Sequence, residues 1–136
     1  MSNRILLCDD ELHILRAAEI KLSRAGYDVE CAHDGQQAWE AIERQCPDLL
    51  ITDCQMPRLD GLGLVRRIRE CEQTRDLPVL MLTAKGFELA HRDIGEALGI
   101  KAILAKPFSP RELLKYATQV LTTGEIDETA MLRPMC

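Results

Sequence analysis

Five short strand-like runs, separated by stretches of helical period and each ending on polar residues, constrain what this 136-residue chain can fold into more than any other feature. Arg4 to Cys8 stops at Asp9-Asp10-Glu11, and Tyr27 to Ala32 leads into Asp34-Gly35. Leu49 to Ile51 ends at Thr52-Asp53, after which Pro57 and Asp60-Gly61 turn the chain. Pro78 to Leu82 ends on Thr83-Ala84-Lys85-Gly86, and Ala102 to Ala105 ends on Lys106-Pro107. Runs this short and apolar, alternating with helices through brief loops, predict an α/β fold: a doubly wound, five-stranded parallel sheet covered on both faces, built as (βα)5. Right-handed crossovers leave few topologies for one domain of this size, and strand order 2-1-3-4-5 is the common one.

The helices carry their own signals. Leu12, Leu15, Ala18 and Leu22 recur at helical spacing up to Gly26, which reads as a C-terminal cap. Asp34 with Gln37 three residues on forms a capping box, and Ala38, Ala41 and Ile42 supply a stripe that ends before Pro47. Leu62, Val65 and Ile68 mark a third helix, running into the polar segment Glu72 to Asp76. Phe87, Ala90, Ile94, Ala97 and Leu98 fit a fourth, weakened by Gly86 before it and Gly95 within it. Ser109-Pro110-Arg111-Glu112 is the strongest start signal present: an N-cap serine, proline at the first helical position and glutamate at the third. Leu113, Leu114, Ala117, Val120 and Leu121 continue that helix. Residues 1–121 read as one domain and 122–136, which lack periodicity, as a tail.

A hydrophobic content of 46% with 29% charged and only 4% aromatic residues fits a soluble globular chain packed by Leu, Ile, Val and Ala. Seventeen basic against twenty-two acidic residues, a net charge of -5, argue against a surface that coats nucleic acid. No apolar run approaches the ~18 residues of a membrane span, and Met1 to Ile5 leave no room for a secretion signal, so the expected location is cytoplasmic. The six cysteines (Cys8, Cys31, Cys46, Cys54, Cys71 and Cys136) form no CxxC pair and no zinc-ligand spacing; they read mostly as reduced, small, buried hydrophobes.

Parallel strands point their C-termini the same way, so the residues that end them share one rim. Here those residues are Asp9 and Asp10, Asp53, Thr83 and Lys106. Two carboxylates ~4 Å apart repel by ~4 kcal/mol at an effective dielectric near ~20, and a divalent cation resolves that conflict. Mg2+ suits such a cluster because it takes oxygen ligands, one or two carboxylates with water and phosphate completing the shell. A phosphoryl group beside it needs a cation and hydrogen-bond donors, and Lys106 and Thr83 are of those types. The rim is thus suited to phosphoryl transfer, with Asp53 as the candidate nucleophile.

In this order, Asp9-Asp10, the segment from Asp53-Cys54-Gln55-Met56-Pro57 to Asp60-Gly61, Thr83-Ala84 and Lys106-Pro107-Phe108 resemble the response-regulator receiver domain of two-component signalling, of the single-domain type. The resemblance covers roughly Arg4 to Leu121 and implies the flavodoxin-like fold. It implies that Asp53 accepts a phosphoryl group from a histidine kinase or histidine phosphotransfer protein. It further implies that Asp10 and Asp53 bind Mg2+ directly, that Asp9 acts through water and that the Gln55 carbonyl completes the protein ligands. Thr83 and Lys106 would contact the phosphoryl oxygens, and the Lys106-Pro107 bond would be cis. Such a domain is no enzyme beyond self-directed phosphotransfer and autodephosphorylation. It acts on a downstream protein effector, without touching nucleic acid or membrane, as a monomer or a phosphorylation-dependent dimer.

Three other classes compete. A dehalogenase-type phosphatase also forms an aspartyl phosphate but wants a D-x-D motif, whereas here the acids are adjacent and the third position is Glu11. A flavodoxin-like FMN binder cradles phosphate in its first loop, which Asp9-Asp10-Glu11 would repel. A degenerate receiver serving only as a scaffold would not need the intact acid, threonine and lysine set. Loss of Asp10 should weaken the metal, while loss of Lys106 or Thr83 should largely spare it.

Receivers place residues two beyond the acceptor and two beyond the threonine along the path of the hydrolytic water; here these are Gln55 and Lys85. Many also carry an aromatic residue three before the lysine, where this chain has Ile103. The switch would then lean on Thr83, the loop Ala84-Lys85-Gly86 and the fourth helix, presenting a surface of fourth helix, fifth strand and fifth helix with Arg92, Lys101 and Tyr116 as contacts. His13, His33 and His91 read as ordinary surface residues, and Cys54 as a packing residue.

Overall fold

The computed structural model describes residues 3–84 and 92–124. The elements run β1 (Arg4–Cys8), α1 (Leu12–Arg24), β2 (Asp28–Ala32), α2 (Gly35–Arg44), β3 (Leu49–Asp53), α3 (Gly61–Glu70), β4 (Val79–Ala84), α4 (Arg92–Ala97), β5 (Ala102–Lys106) and α5 (Pro110–Thr123). All four strand pairs are parallel and the order is β2-β1-β3-β4-β5, the doubly wound flavodoxin-like sheet that the alternation predicts.

Local chemistry sets the helix ends. Gly26, at φ 102°, lets α1 close by donating to the Ser23 carbonyl while Tyr27 donates to that of Leu22, the Schellman arrangement. Asp34 caps α2 by accepting from the Gln37 N–H at 2.8 Å. The Gln37 side chain reaches back to the N–H of His33, one residue before the position a strict capping box would use. Asp60, which the sequence marks only as part of a turn, caps α3 by accepting from the Gly63 N–H at 2.7 Å. Ser109 accepts from the Glu112 N–H at 3.1 Å with Pro110 beginning α5, as its signal predicts. That helix runs on to Thr123, where Gly124 takes the left-handed turn, so Thr122 and Thr123 complete its last turn and are not part of a tail.

The two-residue period of the strands divides the core into two. Ile5, Leu7, Leu49, Ile51, Leu80, Leu82, Ala102 and Leu104 pack against α1 and α5. Leu6, Cys8, Leu50, Val79 and Met81 pack on the opposite face, against α2 and α3. Tyr116 belongs to the first of these cores and is only 7% exposed, which corrects its assignment as a surface contact. The α5 stripe is Leu113, Tyr116, Ala117 and Val120, while Leu114 and Leu121 lie at its half-buried margin. Among the described residues no cysteine is in a disulfide; Cys8 and Cys54 are buried, Cys31 and Cys71 half-buried and Cys46 exposed. Lys85, Gly86, Phe87, Ala90 and His91, together with Cys136 and the rest of 125–136, lie outside the described residues.

Candidate functional site

The register brings the strand ends together. Cys8 pairs with Thr52, Asp53 with Leu82, Thr83 with Ala105 and Ala84 with Lys106, so Asp9, Asp53, Thr83 and Lys106 arrive on one rim. Asp9 and Asp53 are 2% and 6% exposed, Thr83 is buried, and Asp10 and Gln55 are exposed. Asp9, Asp10 and Asp53 each offer an oxygen within 4.8 Å of the other two. The Lys106-Pro107 peptide is cis, as the resemblance implies.

Two backbone devices hold Asp53 in place. The Gly61 N–H donates to the Cys54 carbonyl at 2.8 Å, folding the loop after β3 back over the strand end. A Cβ at Gly61 would overlap the Asp53 carbonyl oxygen, so only glycine allows this approach. In the same loop Arg58 adopts φ 71°, rare for a residue with a side chain, and its guanidinium lies 3.8 Å from the Asp34 carboxylate. Nothing in the sequence around Arg58 signals that conformation.

Lys106 stands deeper among the carboxylates than the sequence suggests. Its ammonium nitrogen lies 2.9 Å from Asp9 Oδ2, 3.0 Å from Glu11 Oε1 and 3.3 Å from Asp53 Oδ2. Burial pushes Asp53 up to about 6, and the neighbouring Asp9 charge adds to this against the pull of Lys106. Burial likewise raises Asp9, opposed by the Glu11 N–H, which donates to Asp9 Oδ1 at 2.9 Å, and by Lys106. Burial alone would lower Lys106, but the carboxylates of Asp9 and Glu11 and the Asp53 charge outweigh it and hold the ammonium above its usual range. Sequence reasoning missed Glu11 as a partner of Lys106. The exposed His13 ring nitrogen lies 3.9 Å from the same glutamate.

The donor set fits a hard divalent cation. Three carboxylates converge, and buried Asp9 Oδ2 meets only the Lys106 ammonium at 2.9 Å, so the cluster holds more carboxylate oxygens than its one ammonium can satisfy. Cys54, beside Asp53, is buried and its thiol is raised by burial and by Asp60 and Asp53, consistent with packing rather than reactivity.

The sequence matches the response regulator receiver domain over residues 5–118. It is 39% identical over 126 residues to the alkaline phosphatase synthesis transcriptional regulatory protein PhoP of Bacillus subtilis, covering 93% of this chain and 51% of that protein. It is 42% identical over 132 residues to the response regulator MprA of Mycobacterium ulcerans, covering 96% of this chain and 56% of that protein. The chain therefore spans about half the length of the curated relatives it matches. Among solved structures, the chemotaxis response regulator CheY4 of Vibrio cholerae superposes with a TM-score of 0.82 at 33% identity, covering 88% of this chain and 99% of that one.

Proposed function

The chain belongs to the response regulator receiver domain family, and from that premise we propose that it is a working phosphoacceptor whose acceptor is Asp53. In the proposed step an Asp53 carboxylate oxygen attacks the phosphorus of a phosphohistidine on a histidine kinase or phosphotransfer protein; the P–O bond forms, the P–N bond breaks and the imidazole leaves. One observation carries the reading: Asp53, 6% exposed at the end of the central strand, has carboxylate oxygens of Asp9 and Asp10 within 4.8 Å and Lys106 at 3.3 Å. Lys106 is in reach of oxygens added to Asp53, and Thr83 lies at the C-terminal end of the adjacent strand, one residue before its last. Asp10, Asp53 and the Gln55 carbonyl would hold Mg2+, with Asp9 acting through water; when bound, the ion offsets charge on the phosphoryl oxygens.

On this reading the domain is not a turnover enzyme. It catalyses only its own phosphorylation and dephosphorylation, with Gln55 and Lys85 tuning the latter. Its output passes to a downstream protein through α4, β5 and α5, with Lys101 among the contacts; the net charge of -5 supports a protein partner over direct contact with nucleic acid. No helix among the described residues is long and apolar enough to cross a membrane, and we place the domain in the cytoplasm, as a monomer or a phosphorylation-dependent dimer. Intact-mass measurement tests the central claim. The protein should gain one phosphoryl group from acetyl phosphate with Mg2+ and none after chelation, and Asp53→Asn should gain none. Equal labelling of wild type and Asp53→Asn would overturn it.

A further inference from the structure

The Lys106 ammonium lies against three carboxylates, and these are not equivalent. Asp9 and Asp53 belong to the cluster that fits a divalent cation. Glu11 does not: it precedes α1, its side chain is 46% exposed, and it meets Lys106 from the solvent side at 3.0 Å. The hydrogen bond from the Glu11 N–H to Asp9 Oδ1 fixes its backbone against the cluster, so consecutive acids serve different partners: Asp10 faces the other carboxylates and Glu11 faces the lysine. A cation entering between Asp9 and Asp53 meets an ammonium already in contact with both, and like charges sharing ligands repel. Lys106 must then give up part of its contact with them. A half-solvated carboxylate already touching it lets the ammonium pivot and keep a charged partner.

We propose that Glu11 is a positioning residue, a second berth for Lys106 that takes the ammonium when a divalent cation occupies Asp9, Asp10 and Asp53, and so sets cation affinity through Lys106 without touching the cation. This rests on reading the cluster as a Mg2+ site, and it reverses the expectation that loss of Lys106 leaves the metal alone. The lysine competes with the cation.

The test is a double-mutant cycle on Mg2+ affinity by isothermal titration calorimetry, using the full chain without any phosphodonor. Lys106→Met should tighten Mg2+ by about three- to tenfold, and Glu11→Gln should weaken it by about as much, because the ammonium then has only the metal's own ligands to hold. In the Lys106→Met background the Glu11→Gln effect should shrink to less than about twofold, and Glu11→Asp should restore part of the single-variant loss. A Glu11→Gln loss of equal size in both backgrounds would overturn the proposal, since Glu11 would then act on the cation by its field alone. So would unchanged affinity in every variant. If wild type takes up no Mg2+ to about 20 mM, or Asp10→Asn binds as wild type does, the site reading itself fails and the proposal with it. Circular dichroism of each variant confirms folding independently of binding.

Discussion

Asp53 is held in a conflict that its own titration can measure. Its folded pKa of about 6 lies above the ordinary 3.8, so its contribution to stability is fully present below about pH 4 and is lost as pH rises through about 6. At about pH 7.5 without Mg2+ the ionised carboxylate then costs the fold about 1–3 kcal/mol. Asp53→Asn removes that charge while Lys106 keeps Asp9 and Glu11. It should therefore unfold at a higher urea concentration than wild type at about pH 7.5, with the difference vanishing near pH 4; equal midpoints at both would show that burial exerts no such strain. Asp9, Asp10, Asp53, Thr83 and Lys106 were legible in the sequence because each closes an apolar run, and parallel strands bring such ends to one place. Glu11 was not. In a run of three acids nothing in the order of residues says which side chain faces which neighbour, and the partner that decides it lies 95 residues away. Arg58 was illegible too: it sits at the centre of a tight turn closed by the Leu59 N–H on the Pro57 carbonyl, and no residue propensity announces a left-handed backbone at an arginine.

At the scale of the elements, α4 is described over Arg92–Ala97, and several hydrogen bonds tie its C-terminal end. Ile100 donates to the Gly95 carbonyl and Gly99, at φ 70°, to that of Glu96, closing α4 as Gly26 closes α1. Arg69 of α3 then reaches across. Its guanidinium donates to the carbonyls of Leu98 (2.7 Å), Gly99 (3.3 Å), Arg75 (2.9 Å) and Leu77 (2.6 Å), joining the loop before β4 to the turn that ends α4. Burial lowers the Arg69 pKa from its usual value, so these carbonyls do the work that water would do elsewhere. Arg69→Met should lower stability by about 2–4 kcal/mol in urea denaturation, whereas Arg67→Met, which loses a surface stacking at 5.6 Å over Trp39, should cost about 0.5–1 kcal/mol. Similar losses in the two variants would deny Arg69 its special role. Helix starts at Asp34 and Ser109 were readable because capping is local chemistry within four residues. Arg69 was not, since its acceptor just past α4, Leu98, is 29 positions distant. The period of α5 was readable but misphased by the apolar Leu114 and Leu121, which moved Tyr116 to the wrong side.

At the scale of the whole molecule, the proposed switch has a direction. Ile103 packs with the α2 and α3 core, and its Cδ1 would lie 3.0 Å from a Cβ at Gly95, so β5 and α4 are in close contact where other receivers place an aromatic ring. Thr83 lies two residues beyond Met81 and so on the same face of the sheet. Amide exchange with beryllofluoride as a phosphoryl mimic should change mainly over residues 83–98, while changes confined to α3 would refute this route. The fold class was fully legible because strand alternation, short loops and right-handed crossovers leave few alternatives; the direction was not, because it depends on which core each residue of β5 joins. The division of the core by the sheet has one more consequence, for whoever reads the signal. A partner seated on the outer faces of α1 and α5, clear of the strand ends, meets a surface whose packing lies across the sheet from Thr83 and Ile103, and should gain little preference between the two forms. A reader that touches α4 meets the face that carries Thr83 and Ile103. Its affinities for mimic-loaded and unloaded protein should differ by about tenfold or more, and those of an α1–α5 binder by less than about twofold.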